Sequence, residues 1–313
     1  MKSLDCSAEY SSTEYSSAGY PSISVVIPSF NQGEYIEETL VSVIGQCYPN
    51  LEIIVIDGGS TDNTTEIIQK YADRLHYWHS KKDRGQADAI NQGMRLSSGD
   101  VVCWLNSDDM YLPGTLLDIG RRFQSRTQDY HLVYGGSLHI SQTEEQLSGH
   151  VQAMDVPQGG AFDSERLTYC DFIAQPSAFW TRKLWLAAGE LNCDRHYVLD
   201  WDWFIRASKL TDFEYVSKLY SLYRFHDAHK SSTGGNARCK EIVEVVQQYA
   251  PDYWQKLYLE VFSNYEQVGR LDGWMSRLNV PKRHVFLPLF FPKLLYQLKR
   301  TRDIGTVLSM CLV

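Results

Sequence analysis

Apolar runs of strand length alternate with stretches of helical period through the first 110 residues, and that alternation restricts the fold more than any other feature of the chain. Ile23–Pro28 is a β-branched run, the first expected strand. Ile36, Leu40, Val43, Ile44 and Cys47 recur at helical spacing, which predicts an amphipathic helix near 34–47 that Pro49-Asn50 ends. Leu51–Ile56 reads as a second strand, closed by Asp57-Gly58-Gly59-Ser60. Asp62 and Asn63 are candidate caps of a second helix, whose Ile67, Ile68 and Tyr71 face inward. A short third strand is expected near Leu75–His79, then a helix with Ala87, Ile90 and Met94 on one side, then a fourth strand over Val101–Leu105. Alternation of this kind predicts a parallel, doubly wound α/β sheet built by right-handed crossovers.

In such sheets ligands sit beyond the carboxyl ends of the strands. Those ends are acidic here. Asp57 closes the second strand, Asp83 follows the third, and Asp108 and Asp109 follow the fourth. Carboxylates at that edge can accept hydrogen bonds from a base or from ribose hydroxyls, and their oxygens suit Mg²⁺ or Mn²⁺ carrying a diphosphate. A plain Asp-rich turn also fits Asp108-Asp109 taken alone. The first strand is followed by Ser29-Phe30-Asn31-Gln32-Gly33, with neither Gly-x-Gly-x-x-Gly nor Gly-x-x-x-x-Gly-Lys. Dinucleotide dehydrogenases and P-loop enzymes are disfavoured accordingly.

The balance of charge is −8, which disfavours a general nucleic-acid binder. Seven cysteines are scattered without a Cys-x-x-Cys pair, so reduced thiols are expected rather than a disulfide framework or structural zinc. Residues 1–21 are rich in Ser and Tyr and read as a loose tail without a signal peptide. No apolar stretch reaches the roughly 18 residues of a membrane-crossing helix. A cytoplasmic location is the resulting expectation.

The regular alternation then breaks. Pro113-Gly114 opens a helix to about Ser125, Leu132–Ile140 is strand-like, short helices lie near 181–189 and 200–210, and 213–225 is again strand-like. A long helical region runs from about 239 to 270. This half reads as mixed structure added to the same sheet.

Four segments taken in order carry a family resemblance: Ser24-Val25-Val26-Ile27-Pro28-Ser29-Phe30-Asn31, Ile54-Val55-Ile56-Asp57-Gly58-Gly59-Ser60-Thr61-Asp62, Asp83-Arg84-Gly85-Gln86-Ala87-Asp88-Ala89-Ile90-Asn91-Gln92-Gly93, and Leu105-Asn106-Ser107-Asp108-Asp109. Together they resemble the family 2 glycosyltransferases of the GT-A fold, over roughly residues 22 to 230. The resemblance implies a Rossmann-like, doubly wound mixed sheet with a helical C-terminal extension. It implies a glycosyltransferase domain over 22–235, with 22–110 binding the nucleotide-sugar and 111–235 the acceptor, and a helical region over 236–313. By the same resemblance Pro28, Phe30 and Asp57 hold the base. Asp83 and Arg84 border the nucleotide and the donor sugar, and Gln86, Asp88, Asn106, Ser107 and Asp108 complete the donor set. Asp108 and Asp109 match the family's metal-binding Asp-x-Asp region, whose first position is often Asp where this chain has Asn106.

On the acceptor side, Asp200 in Leu199-Asp200-Trp201-Asp202-Trp203 aligns with the family's general base, with Asp202 the second choice. A carboxylate in reach of a sugar hydroxyl can take its proton during attack. Asp200 as a helix N-cap is compatible with that role. Gln175 and Pro176 match a loop that borders the acceptor, or form a simple turn. Trp201 could stack on the acceptor sugar or pack in the core. Arg224 and Lys230 sit where some relatives close a basic lid on the diphosphate. His229 could complete the metal shell, while His226-x-x-His229 alone is a weak zinc signal.

The expected activity is metal-dependent, inverting transfer from a nucleotide-diphospho-sugar, with a UDP-sugar as first choice and Mn²⁺ or Mg²⁺ as cofactor. The acceptor would be a saccharide or lipid-linked saccharide in surface polysaccharide or glycan synthesis. A sugar-phosphate nucleotidyltransferase and a non-catalytic nucleotide-sugar-binding protein are the alternatives. Basic residues flank the apolar stretch within 281–302, which fits peripheral contact with the inner face of the cytoplasmic membrane, or packing on the domain or on a second copy of the chain.

Overall fold

The β-branched runs become strands at the places their pattern predicts. The computed structural model describes residues 19–124, 128–141, 152–153, 162–226, 230, 234–277 and 301–311. Strand β1 (Ile23–Ser29) leads to helix α1 (Ile36–Ile44), β2 (Leu51–Asp57) to α2 (Thr64–Lys70), and β3 (Tyr77–Ser80) to α3 (Gln86–Leu96), which returns to β4 (Val101–Trp104). The four strands are parallel in the order β3-β2-β1-β4. Every residue of β1 and β4 is buried, as continuous apolar strands of a two-sided sheet should be.

Alternation along β1 decides which helix packs where. Ile23, Val25 and Ile27 join a core with Ile36, Leu40 and Val43 of α1 and Ile67 and Ile68 of α2. Val26 points to the other face, where α3 lies so close that a Cβ on Gly93 would fall 2.3 Å from a Val26 methyl. Helices therefore cover both faces of the sheet, as the crossovers require.

The second half extends this sheet in antiparallel and parallel steps. After β5 (Met110–Tyr111) and α4 (Thr115–Gln124) come β6 (Leu132–Ser141), β7 (Gln152–Ala153), the single turn α5 (Ser164–Leu167), β8 (Ala178–Thr181), α6 (Arg182–Ala188), α7 (Leu199–Ser208) and β9 (Glu214–Phe225). The described strands form one mixed sheet, β3-β2-β1-β4-β8-β6-β9-β5, with β7 against β6. Three strands escape sequence reading: β5 and β7 have two residues each, and β8 has four, too few for a period to show. The expected long helix over 239–270 is instead α8 (Gly235–Tyr249), α9 (Asp252–Ser263) and α10 (Tyr265–Arg277), followed by α11 (Thr301–Cys311). Pro251 supplies no N–H and stops α8 at Tyr249. The expectation of reduced thiols is corrected at one position, because Cys47 is disulfide-bonded.

The chain forms two compact units. The first takes the described residues up to Phe162, with Ile173–Asp194 and Arg206–His226, and holds the whole sheet. The second takes Asp163–Phe172, Arg195–Ile205 and the described part of Asp227–Val313. Its core is aromatic: Trp201, Trp203 and Tyr258 are fully buried, and Tyr169 stacks on Trp254 with centroids 3.9 Å apart. No helix among the described residues is long and apolar enough to cross a membrane.

Candidate active site

The carboxyl edge of the first unit's sheet gathers the acidic strand ends. Parallel register sets Ser29, Asp57 and Ser80 side by side. Asp57 is fully buried, and its carboxylate accepts from the amides of Gly59 (3.1 Å) and Ser60 (2.9 Å) and the hydroxyl of Ser80 (2.6 Å), so it orders the 57–60 loop. Pro28 is buried within β1, whereas Phe30, just beyond its end, is 59% exposed. Asp83 accepts from the Gly85 amide at 2.8 Å and lies where a Cβ on Gly58 would stand, 2.9 Å from one of its oxygens. Burial, with the charges of Asp88 and Asp57 adding, holds the Asp83 carboxyl above its usual range. Arg84 is exposed and pairs with Asp88 at 3.2 Å, and Asp88 also accepts from Gln92.

From α3 a chain of amides runs to the end of β4. Gln86 Nε2 donates to Asn106 Oδ1 at 2.8 Å, and Asn106 Nδ2 donates to Asp109 Oδ2 at 3.3 Å. Both ends of the Asn106 amide are thereby used. Asp109 is 1% exposed and also accepts from the backbone amide of Arg224 at 3.1 Å. Burial first, then the neighbouring charge of Asp108, pushes its carboxyl well above the ordinary carboxylate range. The expectation of Asp109 as a direct metal ligand is corrected on geometry: both of its oxygens already accept from protein N–H groups, those of Asn106 and Arg224. Asp108 is the more open of the two, and its Oδ2 lies 3.1 Å from His226 Nε2.

Helix α1 holds this turn from the other side. Ser107 is buried, and the Thr39 hydroxyl reaches the carbonyls of Ser107 (2.9 Å) and Asp109 (2.8 Å). Arg224 Nε donates to the Asp108 carbonyl at 3.0 Å, its guanidinium pairs with Glu38, and it lies 5.0 Å over the Tyr35 ring. The His226 ring packs on the same tyrosine, centroids 4.6 Å apart. The expected diphosphate role of Arg224 is corrected, because its side chain is 2% exposed and its Nε and Nη2 donate to the Asp108 carbonyl and the Glu38 carboxylate. Sequence reading missed Tyr35, Glu38 and Thr39, and saw His226 only as half of a weak zinc signal. Tyr35, Glu38 and Thr39, with Ser42, which accepts from the Tyr111 amide, recur at helical spacing, and that polar stripe on an otherwise apolar helix was the available signal.

Gln175 and Pro176 are buried, and Gln175 Nε2 donates to the Trp104 carbonyl at 2.9 Å. Gln175 thus supports the end of β4, and neither residue is open to an acceptor.

In the second unit Asp200 stands in the first turn of α7 and accepts from the Trp201 amide at 2.9 Å. Burial raises its carboxyl above the usual value, against the pull of that amide and of the Lys230 ammonium. Two neighbours are corrected. Asp202 is 4% exposed and receives the Tyr249 hydroxyl at 3.1 Å, a core contact. Trp201 is wholly buried, and its indole N–H donates to the Leu167 carbonyl at 2.6 Å, which leaves no ring face for a sugar. His229, and nearly all of the basic segment 281–302, lie outside the described residues.

Among the described residues no three His, Cys, Asp or Glu side chains converge as a ready-made metal cage. The Asp108–His226 pair, in hydrogen-bond contact at 3.1 Å, nonetheless brings together one carboxylate oxygen and one imidazole nitrogen, a donor set that suits Mn²⁺.

The sequence model described as Glycosyl transferase family 2 matches residues 24–171. A PGL/p-HBAD biosynthesis glycosyltransferase of Mycobacterium bovis is 30% identical over 190 residues, 59% of this chain and 69% of the relative. Among solved structures, residues 1–349 of Staphylococcus aureus TarS in complex with UDP superpose with a TM-score of 0.60 at 19% identity, covering 92% of this chain and 90% of that one. This chain spans 54% of the longer TarS chain. The mannosyltransferase PcManGT of Pyrobaculum calidifontis, in complex with GDP-Man and Mn²⁺, also gives 0.60, at 16% identity over 93% and 86% of the two chains. At these identities the two structures speak for the GT-A fold.

Proposed function

Because the chain belongs to glycosyl transferase family 2, we propose that it moves a sugar from a nucleotide-diphospho-sugar, a UDP-sugar first, to a hydroxyl of a saccharide or lipid-linked saccharide, with inversion at the anomeric carbon. The observation that carries this reading is the approach of His226 Nε2 to Asp108 Oδ2, 3.1 Å, on the carboxyl edge of the sheet. The UDP complex of TarS and the Mn²⁺ complex of PcManGT support the choice of donor and of ion.

The base would lie against exposed Phe30, near Asp57. Asp108 and His226 would hold Mn²⁺ or Mg²⁺, whose charge offsets that of the diphosphate. Asp200 takes the proton of the acceptor hydroxyl as that oxygen attacks the anomeric carbon. Burial raises its pKa above that of an ordinary carboxylate, which makes the ionised form a stronger base, while the Trp201 amide and Lys230 act in the opposite direction and favour the ionised form. The sugar–phosphate bond breaks as the new glycosidic bond forms, and the nucleoside diphosphate leaves. Work at the cytoplasmic face of a membrane belongs to this proposal where the acceptor is lipid-linked.

The test is release of nucleoside diphosphate from a panel of nucleotide-sugars, with saccharide acceptors and Mn²⁺, by wild type and Asp200→Asn. Transfer by wild type from one donor, reduced roughly 10²–10⁴-fold in Asp200→Asn, is expected. Full activity in Asp200→Asn removes Asp200 as the base.

A further inference from the structure

We propose that Arg224 is a positioning residue for the metal-site carboxylate: its guanidinium, set by Glu38 and Tyr35, fixes the main chain of Asp108 so that the carboxylate meets His226. The inference rests on the reading that Asp108 and His226 hold a divalent ion.

The geometry separates this role from mere strand formation. Arg224 already has its place in β9 through backbone pairing with Ile140 of β6. Its side chain is then spent on the 106–109 turn. Nε donates to the Asp108 carbonyl at 3.0 Å, while the amide of the same residue donates to Asp109 Oδ1 at 3.1 Å. Two residues on, His226 presents Nε2 to Asp108 Oδ2. The end of β9 therefore grips one aspartate by its main chain and by its side chain at once. A carboxylate ligand is only as well placed as its backbone, and this backbone is tied from β9 by Arg224 and from α1 by Thr39.

Glu38 completes the device. Its side chain is 58% exposed while Arg224 is 2% exposed, so the pair has one end in water and one end buried. Glu38 is thus dispensable to the core, yet it balances a buried guanidinium and fixes the guanidinium plane. Tyr35 lies under that plane and also packs on His226, so one ring sets the height of both basic groups. Lysine cannot substitute, because a single ammonium lacks the planar fork that reaches a carbonyl and a carboxylate in fixed directions.

The experiment measures Mn²⁺ affinity in the presence of UDP, from the electron paramagnetic resonance signal of free Mn²⁺, for wild type, Asp108→Asn, Arg224→Lys, Glu38→Ala and Glu38→Gln. Arg224→Lys and Glu38→Ala are expected to bind Mn²⁺ roughly tenfold more weakly. Glu38→Gln, which keeps an acceptor oxygen, recovers most of the loss, and saturating Mn²⁺ restores turnover in Arg224→Lys. Wild-type affinity in both Arg224→Lys and Glu38→Ala, with Asp108→Asn impaired, overturns the proposal and leaves the metal reading standing. A turnover defect in Arg224→Lys that excess Mn²⁺ does not relieve also overturns it. If Arg224→Lys does not fold, Glu38→Ala decides by itself. Wild-type affinity in Asp108→Asn removes the metal reading and this inference with it.

Discussion

His226 Nε2 lies 3.1 Å from Asp108 Oδ2, and the two residues, one following β4 and the other following β9, are 118 positions apart in the chain. Both are positioned by third parties: Arg224 and Thr39 hold the aspartate's turn, and Tyr35 packs against the histidine.

The pair should act as a unit. His226→Ala and Asp108→Asn are each expected to lower transfer at limiting Mn²⁺ by roughly 10- to 100-fold, and the double variant little further. Rates measured across a Mn²⁺ titration check this, and additive losses would show that the two residues act separately.

Asn106 links α3 to the buried end of β4 through its side-chain amide. Its amide accepts from Gln86 and donates to buried Asp109. Asn106→Asp keeps the first contact, loses the second, and sets two carboxylates against each other. Urea unfolding should show a loss of about 1–3 kcal/mol.

Stability should also depend on pH through Asp109. Its folded-state pKa is raised above the ordinary 3.8, so the folded protein binds the proton more tightly than the unfolded chain does. The stabilisation is fully present below the unfolded value and is lost as pH rises through the folded one. In metal-free buffer, Asp109→Asn should flatten the fall in melting temperature over that interval.

Trp201 makes the opposite prediction from the one its sequence neighbourhood invites. Trp201→Phe leaves the Leu167 carbonyl without its donor inside the second unit's core. The expected result is a stability loss of about 1–3 kcal/mol with an unchanged KM for acceptor. A raised KM at unchanged stability would return Trp201 to the acceptor site.

The first half of the fold was legible because β1 and β4 are buried along their whole length and its helices repeat at 3.6 residues, so the strand–helix alternation reads directly from periodicity. Asp108 was legible for the same reason, as the polar end of such a strand. Short strands such as β8 carry too few residues for a period, and its aromatic run fits a helix equally well. Arg224 was visible as a basic residue in the right segment, but its role was not, because charge says nothing about burial. Its partner Glu38 lies 186 positions away on α1. Asp202 and Trp201 failed likewise: one residue's step along α7 separates a base candidate from the core, and the sequence offered no way to orient that helix.

Calorimetric binding of UDP to the wild-type chain, with Mn²⁺ and then with EDTA, tests the central claim most directly. The account predicts a single site whose affinity for UDP falls at least tenfold when the ion is removed, and a similar fall in Asp108→Asn with Mn²⁺ present. Equal UDP affinity with and without the ion, or no UDP binding in either condition, would contradict it.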